Sequence, residues 1–131
     1  MSGTWTGEEL RRVGEATELQ ITSRRDDGSL RPYVTIWTVR ADDSIYVRSA
    51  YGSANPWFRR ATASGSGRIR AGGIERDVTF TTASQLDERT LAAVDAAYHA
   101  KYDRYGPQIV GTVTGAHAAP VTLRLDPGNA A

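Results

Sequence analysis

The stretch from Arg68 to Thr82 constrains the fold of this chain more than any other part of the sequence. Two segments of alternating polar and apolar residues, Arg68–Ala71 and Ile74–Thr82, are separated only by Gly72-Gly73. Such alternation is typical of a half-buried strand, and two glycines supply the positive φ angles of a tight hairpin turn. The sequence therefore predicts an antiparallel hairpin here and a fold built on antiparallel strands.

Four further segments have strand character. Residues 18–24 alternate polar and apolar side chains, and Tyr33–Arg40 is rich in β-branched and aromatic residues. Residues 44–49 and 121–125 complete the set. Short turns separate the first three, which predicts an antiparallel meander. On the strand Tyr33–Arg40 we expect Val34 and Ile36 to face the barrel interior, and Thr35 and Trp37 to face a helix, a partner or a ligand.

Two to three helices are expected between the strands. A capping box at Thr6 opens one through about Ala16, and Asn55-Pro56 opens a second through Ala61. The longest runs from Asp87 to about Tyr105 and carries an apolar and aromatic stripe. Ser64–Gly67 is expected to be a flexible connection. Six strands broken by one long helix predict a mainly β, small closed or split antiparallel barrel.

The bulk composition excludes several classes of protein. With 16 basic and 15 acidic side chains, the formal net charge of +1 provides no global attraction for nucleic acid or a membrane surface. No cysteine is available for disulfides or thiolate chemistry. His99 and His117 lack partners at metal-ligand spacing, so no metal is expected. We expect one domain over residues 1–131, with frayed ends at 1–4 and 128–131, in a cytoplasmic protein without a membrane-spanning segment.

Two local features could hold an anion. Arg48-Ser49 at a strand end, followed by Tyr51-Gly52, offers a guanidinium, a hydroxyl and a backbone that a ligand can approach. The alternative is a strand that ends in a surface arginine and a turn. Asn55–Arg60 places a helix N-terminus and two arginines together, with Trp57 able to stack on a flat ring. The alternative is a core aromatic beside solvated arginines.

The chain carries six distinctive motifs: Arg31-x-x-x-Thr35-Ile36-Trp37-x-Val39, Tyr46-Val47-Arg48-Ser49-x-Tyr51-Gly52, Trp57-x-Arg59-x-Ala61, Gly67-Arg68-Ile69, Asp77-Val78-x-Phe80 and Ala97-Tyr98-x-x-Lys101-Tyr102. With these motifs it resembles a family of small uncharacterised bacterial proteins. That family is placed in the flavin-binding split-barrel superfamily, together with the pyridoxamine-phosphate oxidases and the deazaflavin-dependent reductases. The resemblance runs from about Trp5 to Pro127.

The resemblance implies a six-stranded split-barrel homodimer with flavin sites at the subunit interface. FMN is the cofactor it implies first, with a deazaflavin or no cofactor as alternatives. The cofactor-binding residues it implies are Arg48, Ser49, Tyr51, Gly52, Thr35, Trp57, Arg59, Arg60 and Arg68. The catalytic residues it implies are Tyr51, Trp37 and Tyr33, with a tyrosine as proton donor. The lysine that often accompanies the serine in the oxidases has no counterpart, because Lys101 is the only lysine.

Three functions follow from these observations. The first is a flavin- or deazaflavin-dependent oxidoreductase acting on a small organic molecule at the dimer interface. The second is a cofactor-free enzyme of a natural-product biosynthetic pathway that uses the same pocket. The third is a binding protein for a small anionic metabolite, without turnover. A nucleic-acid partner is excluded by the charge balance.

Overall fold

The strand patterns of the sequence form one antiparallel sheet, curled into a half barrel, in the computed structural model, which describes residues 4–50 and 52–128. The described residues contain seven strands, in the sheet order β2-β1-β5-β6-β7-β4-β3. Their bounds are Leu19–Ser23 (β1), Val34–Ile36 (β2), Val39–Ala41 (β3), Ser44–Arg48 (β4), Ser66–Ala71 (β5), Ile74–Thr82 (β6) and Thr122–Pro127 (β7). The predicted mainly β class and the antiparallel sheet are confirmed.

Four α-helices pack around this sheet in the described ranges: Gly7–Glu15 (α1), Pro56–Ser64 (α2), Glu88–Tyr102 (α3) and Pro107–Val110 (α4). The capping box of α1 is confirmed, because the Glu9 amide donates to Thr6 Oγ1 at 3.1 Å while the Thr6 amide donates to the Glu9 carboxylate at 2.9 Å. Helix α3 begins after Asp87, whose carboxylate accepts from the Thr90 amide.

The predicted six strands become seven because the segment Tyr33–Arg40 is two strands. Its first part, β2, pairs with β1 in the register Thr35 to Gln20, and its second part, β3, pairs with β4 in the register Val39 to Tyr46. Trp37 and Thr38 form the break between them. Because β2 and β3 are the two edges of the sheet, consecutive parts of one segment line its opposite edges, and the sheet curls toward itself.

Side chains of α3 hold this break. The Thr38 amide donates to the Tyr102 hydroxyl at 3.2 Å, and the Thr38 carbonyl accepts from Lys101 Nζ at 2.7 Å. Lys101 also donates to the Ala16 carbonyl at 2.5 Å, and the Tyr102 hydroxyl lies 2.7 Å from the Thr17 carbonyl. The backbone groups that leave the ladder are thus paired by side chains, as buried polar groups require.

Three expectations were wrong at the ends of elements. Val34 does not face the barrel interior, because β2 is a short edge strand, and its side chain is 37% exposed, whereas Ile36 is partly buried and packs against the core. Ser64–Gly67 is an ordered junction, in which Gly65 ends α2 at φ 78° and β5 begins at Ser66. The aromatic stripe of α3 is buried through Tyr102, whereas Tyr105 lies beyond the helix in a 3₁₀ turn and is exposed.

The hairpin β5–β6 is confirmed, with Gly72 and Gly73 at φ 57° and 82°. Gly67 on β5 is required for another reason. A Cβ atom there would collide with the carbonyl oxygen of Thr22 on the neighbouring strand β1 and would touch Phe80. The close approach of these backbones therefore depends on a residue without a side chain.

Two apolar clusters stabilise the fold. The larger lies inside the curled sheet beneath α1 and α2, and includes Leu19, Ile69 and Leu125, all fully buried. The smaller lies between α3 and the β3–β4 edge, and includes Val94 and Tyr98. None of the helices in residues 4–50 and 52–128 has the length and apolar character that crossing a membrane requires. Near the C-terminus, the Gly128 amide donates to the Asp77 carbonyl at 2.7 Å.

Replacing Tyr102 with Phe should destabilise the protein by about 1–3 kcal/mol, because the buried Thr38 amide loses its acceptor. Urea unfolding followed by tryptophan fluorescence measures the change. The matched control is Tyr105→Phe, whose exposed hydroxyl contacts only the exposed Arg104 in the described structure and whose loss should cost less than about 0.5 kcal/mol. Unfolding curves for Tyr102→Phe and wild type that coincide would show that the break does not depend on this hydroxyl.

Candidate functional site

An open cleft of about 290 Å³ lies where the broken edge of the sheet meets α2 and the chain around α4. Its lining is mainly apolar and includes two tryptophans. The lining residues are Val34, Thr35, Ile36, Trp37, Arg48, Ala50, Asn55, Trp57, Ile109, Thr112 and Val113. Its volume is near the lower end of the range of about 300–1,000 Å³ that is usual for ligand pockets.

Trp37 forms a rigid aromatic wall of this cleft. Its indole stacks on the Tyr102 ring, with centroids 4.0 Å apart and planes 7° from parallel, and Tyr105 lies against it at 5.4 Å. Trp37 is half-buried, since it belongs to neither β2 nor β3 and turns out of the ladder at their junction. Tyr102, whose hydroxyl pairs with the Thr38 backbone at the break, thus also fixes the plane of the Trp37 indole.

The N-terminal end of α2 provides another wall. Trp57 lines the cleft and is 8% exposed. Asn55 stands at the N-cap position, but its side chain makes no capping hydrogen bond, contrary to the expectation from the sequence. Its amide therefore stays available to a ligand, and it lies in the lining of the cleft.

Arg48 lies at the base of the cleft and is only 2% exposed. Its guanidinium donates to Thr122 Oγ1 at 2.8 Å, the Asp95 carboxylate at 3.0 Å, the Val113 carbonyl at 2.9 Å and the Leu91 carbonyl at 3.1 Å. Four of its five N–H donors are therefore used by the protein. Arg48 ties β4 to α3, β7 and the segment after α4, and leaves a single donor for a ligand phosphate.

Asp95 is the counter-ion of this buried arginine. Its carboxylate also accepts from the Gly115 amide at 2.6 Å. Partial burial alone would raise the pKa of Asp95, but the Gly115 amide and the Arg48 guanidinium together hold that pKa below its usual range. The pair therefore stays charged at neutral pH and positions the Val113 segment against the cleft.

The turn after β4 is held by its own hydrogen bond. Ser49 Oγ donates to the Gly52 carbonyl at 2.7 Å, and Gly52 has φ 81°. The Ser49 side chain is thus engaged within the turn. Tyr51, assigned from the sequence to both cofactor binding and catalysis, lies outside the described residues.

The remaining expected site residues lie in two other places. Arg59 and Arg60 line a separate, polar groove on the far side of α2. Arg68 on β5 pairs with Asp77 on β6 at 2.8 Å, and Tyr33 lies beneath the Arg70 guanidinium at 4.1 Å. Neither Arg68 nor Tyr33 is in the lining of the cleft.

Several cleft residues had no recognisable signal in the sequence. Ile109 lies on α4, and Thr112 and Val113 follow that helix. The sequence suggested this segment only as the stop of the long helix. Val34 and Ile36 were assigned to the interior. Within the described ranges, no three His, Asp or Glu side chains gather closely enough to hold a metal ion.

Comparison with known proteins gives a family and a fold. A family model described as uncharacterised proteins conserved in bacteria (DUF2255) matches residues 9–125. A search of curated proteins finds no match by sequence.

Three solved structures illustrate the fold. The haem storage protein HutZ from Vibrio cholerae has a TM-score of 0.60 at 14% identity, over 93% of this chain and 87% of that one. An FAD-binding protein from Mesorhizobium loti gives 0.56 at 19% identity, over 98% and 94%. A structure described as an F420 reductase gives 0.51 at 12% identity, over 92% of each chain. At these identities the likeness shows a shared fold.

Replacing Asp95 with Asn should destabilise the protein by about 1–3 kcal/mol at neutral pH, because the buried Arg48 loses its counter-ion. The pKa of Asp95 is lowered from 3.8 in the folded protein, so its contribution is present above pH 3.8 and is lost as the pH falls through the folded value. The stability difference between wild type and variant should therefore shrink in acid.

Urea unfolding at about pH 7 and about pH 3 measures this difference. Asp103→Asn is the matched control, because Asp103 is an exposed carboxylate directly after α3 that pairs with His99. Its replacement should cost less than about 1 kcal/mol. A difference for Asp95→Asn that is equal at both pH values would contradict the role given to the carboxylate charge.

Proposed function

We propose that this chain, which belongs to the DUF2255 family of uncharacterised bacterial proteins and has the fold of the flavin-binding split-barrel superfamily, is a flavin- or deazaflavin-dependent oxidoreductase acting on a small organic molecule. The observation that carries the proposal is the cleft lined by Trp37 and Trp57 at the broken edge of the sheet. FAD and F420 occur in the descriptions of proteins that share the fold.

The residues of the cleft fit a planar ring with polar edges. Trp37 offers a flat face fixed by Tyr102, and Val34 and Ile109 offer apolar contacts. The uncommitted amide of Asn55 and the exposed hydroxyl of Thr35 can hydrogen-bond the edge of such a ring. This mixture of an apolar surface and a few convergent polar groups is typical of cofactor sites.

When bound, a flavin or deazaflavin supplies hydride transfer, and the protein supplies binding and orientation. Thr35, Trp37 and Trp57 would hold the ring, and Gly52 lets the backbone of the turn after β4 come close to a ligand. Arg48 acts as a positioning residue, since its donors fix the walls of the cleft. Tyr51 remains our candidate for the proton donor.

A second copy of the chain is proposed to cover the cleft. Among the described residues, the exposed large hydrophobic side chains are Val34 at 37%, Tyr105 at 45% and Ile109 at 49%. Val34 and Ile109 line the cleft, and Tyr105 contacts the indole of Trp37. Apolar exposure gathered at the rim of one cleft favours an association site there, and a homodimer would shield the ring from water.

The cofactor proposal predicts that FMN or a deazaflavin binds and that Thr35→Trp, which fills the cleft, weakens binding by about tenfold or more. Quenching of cofactor fluorescence during titration measures the affinity. Thr17→Trp is the control, because Thr17 is also exposed but lies outside the cleft. A colourless purified protein that quenches neither compound at millimolar concentration would rule out the redox function.

The dimer proposal predicts that Ile109→Glu shifts the protein to a monomer, because it would bury a charge in the interface. Sedimentation equilibrium at several concentrations measures the mass. Gln108→Glu, an exposed neighbour on the same short helix, should leave the mass unchanged. A wild-type protein that is monomeric at high concentration would contradict this arrangement, and so would an Ile109→Glu variant of unchanged mass.

A further inference from the structure

A second concave surface, the arginine groove, lies on the other side of α2 from the cleft. It encloses about 650 Å³ and is lined by Arg24, Asp26, Arg31, Pro56, Arg59, Arg60, Thr62, Ala63 and Ser64. Four arginines and one carboxylate line it, so the groove carries a local positive charge. The chain as a whole has a formal net charge of only +1.

Three of these arginines have no acidic partner in the described structure. Arg24 is paired with Asp77 at 3.1 Å, whereas Arg31, Arg59 and Arg60 form no salt bridge with any described residue. In addition, the Nε of Arg31 is buried and has no hydrogen-bond acceptor among the described atoms. A buried guanidinium N–H without an acceptor is costly, which points to a ligand as its partner.

The groove lies close to the cleft. A small pocket of about 20 Å³ shares lining residues with both sites. Val34 and Trp57 line the cleft and this small pocket, whereas Arg31 and Arg60 line the small pocket and the groove. The guanidinium groups of the groove are therefore neighbours of the Trp57 side of the cleft.

We propose that the arginine groove binds the anionic end of a ligand that carries two or more negative groups, such as an organic polyphosphate or polycarboxylate. The groove encloses about 650 Å³ and contains three guanidinium groups without an acidic partner among the described residues. A single arginine can hold a phosphate with two hydrogen bonds, so three arginines offer more donors than one phosphate requires. The assignment of the other end of this ligand to the cleft rests on the proposed function. Anion binding in the groove is independent of that function.

Tripolyphosphate is the probe, and titration calorimetry at low salt measures its affinity for the full-length wild-type protein. Arg59→Gln combined with Arg60→Gln should weaken binding by about tenfold or more. Arg89→Gln, an exposed arginine on α3 outside the groove, should change it by less than about twofold, and Asp26→Asn should strengthen it by about twofold. Both arginines of the double variant are exposed, so its thermal stability should match wild type.

Several results would overturn the proposal. They are no tripolyphosphate binding at millimolar concentration, equal losses in Arg89→Gln and the double variant, orthophosphate binding as tight as tripolyphosphate, or tighter binding of a single-stranded oligonucleotide through the same arginines. Flavin titrations separate the two proposals. If the protein binds tripolyphosphate but no flavin, only the proposed function is overturned. If it binds a flavin but no tripolyphosphate, only the assignment of the groove is overturned.

Discussion

The hydrogen bonds at Thr38 are the constraint on which the rest of this structure depends. A strand that continued from Val34 to Ala41 would keep all its backbone groups in one ladder. Instead β2 pairs with β1 and β3 pairs with β4, so the chain must leave one edge of the sheet and join the other. The Tyr102 hydroxyl and Lys101 satisfy the Thr38 backbone at that crossing. The closure of the half barrel and the position of α3 therefore depend on the same hydrogen bonds.

The candidate site follows from this crossing. Trp37 precedes Thr38 and leaves the ladder with it, so its indole is free to stack on Tyr102 and to form a wall of the cleft. Lys101 is the only lysine of the chain, and burial lowers its pKa to about 8. In this structure it donates to the Ala16 and Thr38 carbonyls and stabilises the crossing. The only lysine of the chain therefore serves the architecture.

Local patterns predicted the elements well where one short stretch decides the outcome. The capping box at Thr6, the Gly72-Gly73 hairpin and the stop of α3 before Pro107 all depend on residues within a few positions of one another. The break at Trp37-Thr38 could not be predicted in this way, because the backbone there is stabilised by Tyr102, more than sixty positions later. The role of Arg48 could not be predicted for the same reason, because its partners are distant in the sequence. Its acceptors come from α3, Val113 and Thr122, so no local pattern indicated the buried ion pair that Arg48 forms with Asp95.

The charge balance of the sequence also conceals a local feature. Most arginines pair within the protein, as Arg76 does with Glu9 at 2.7 Å and Arg124 with Asp126 at 2.8 Å. If pairing were uniform, a net charge of +1 would leave no positive surface. Three arginines without a salt bridge to a described residue, Arg31, Arg59 and Arg60, instead lie together in the arginine groove, and their mutual repulsion there opposes folding. Because repulsion of this kind is relieved when an anion binds, the same arrangement that costs stability in the free protein provides affinity in the complex.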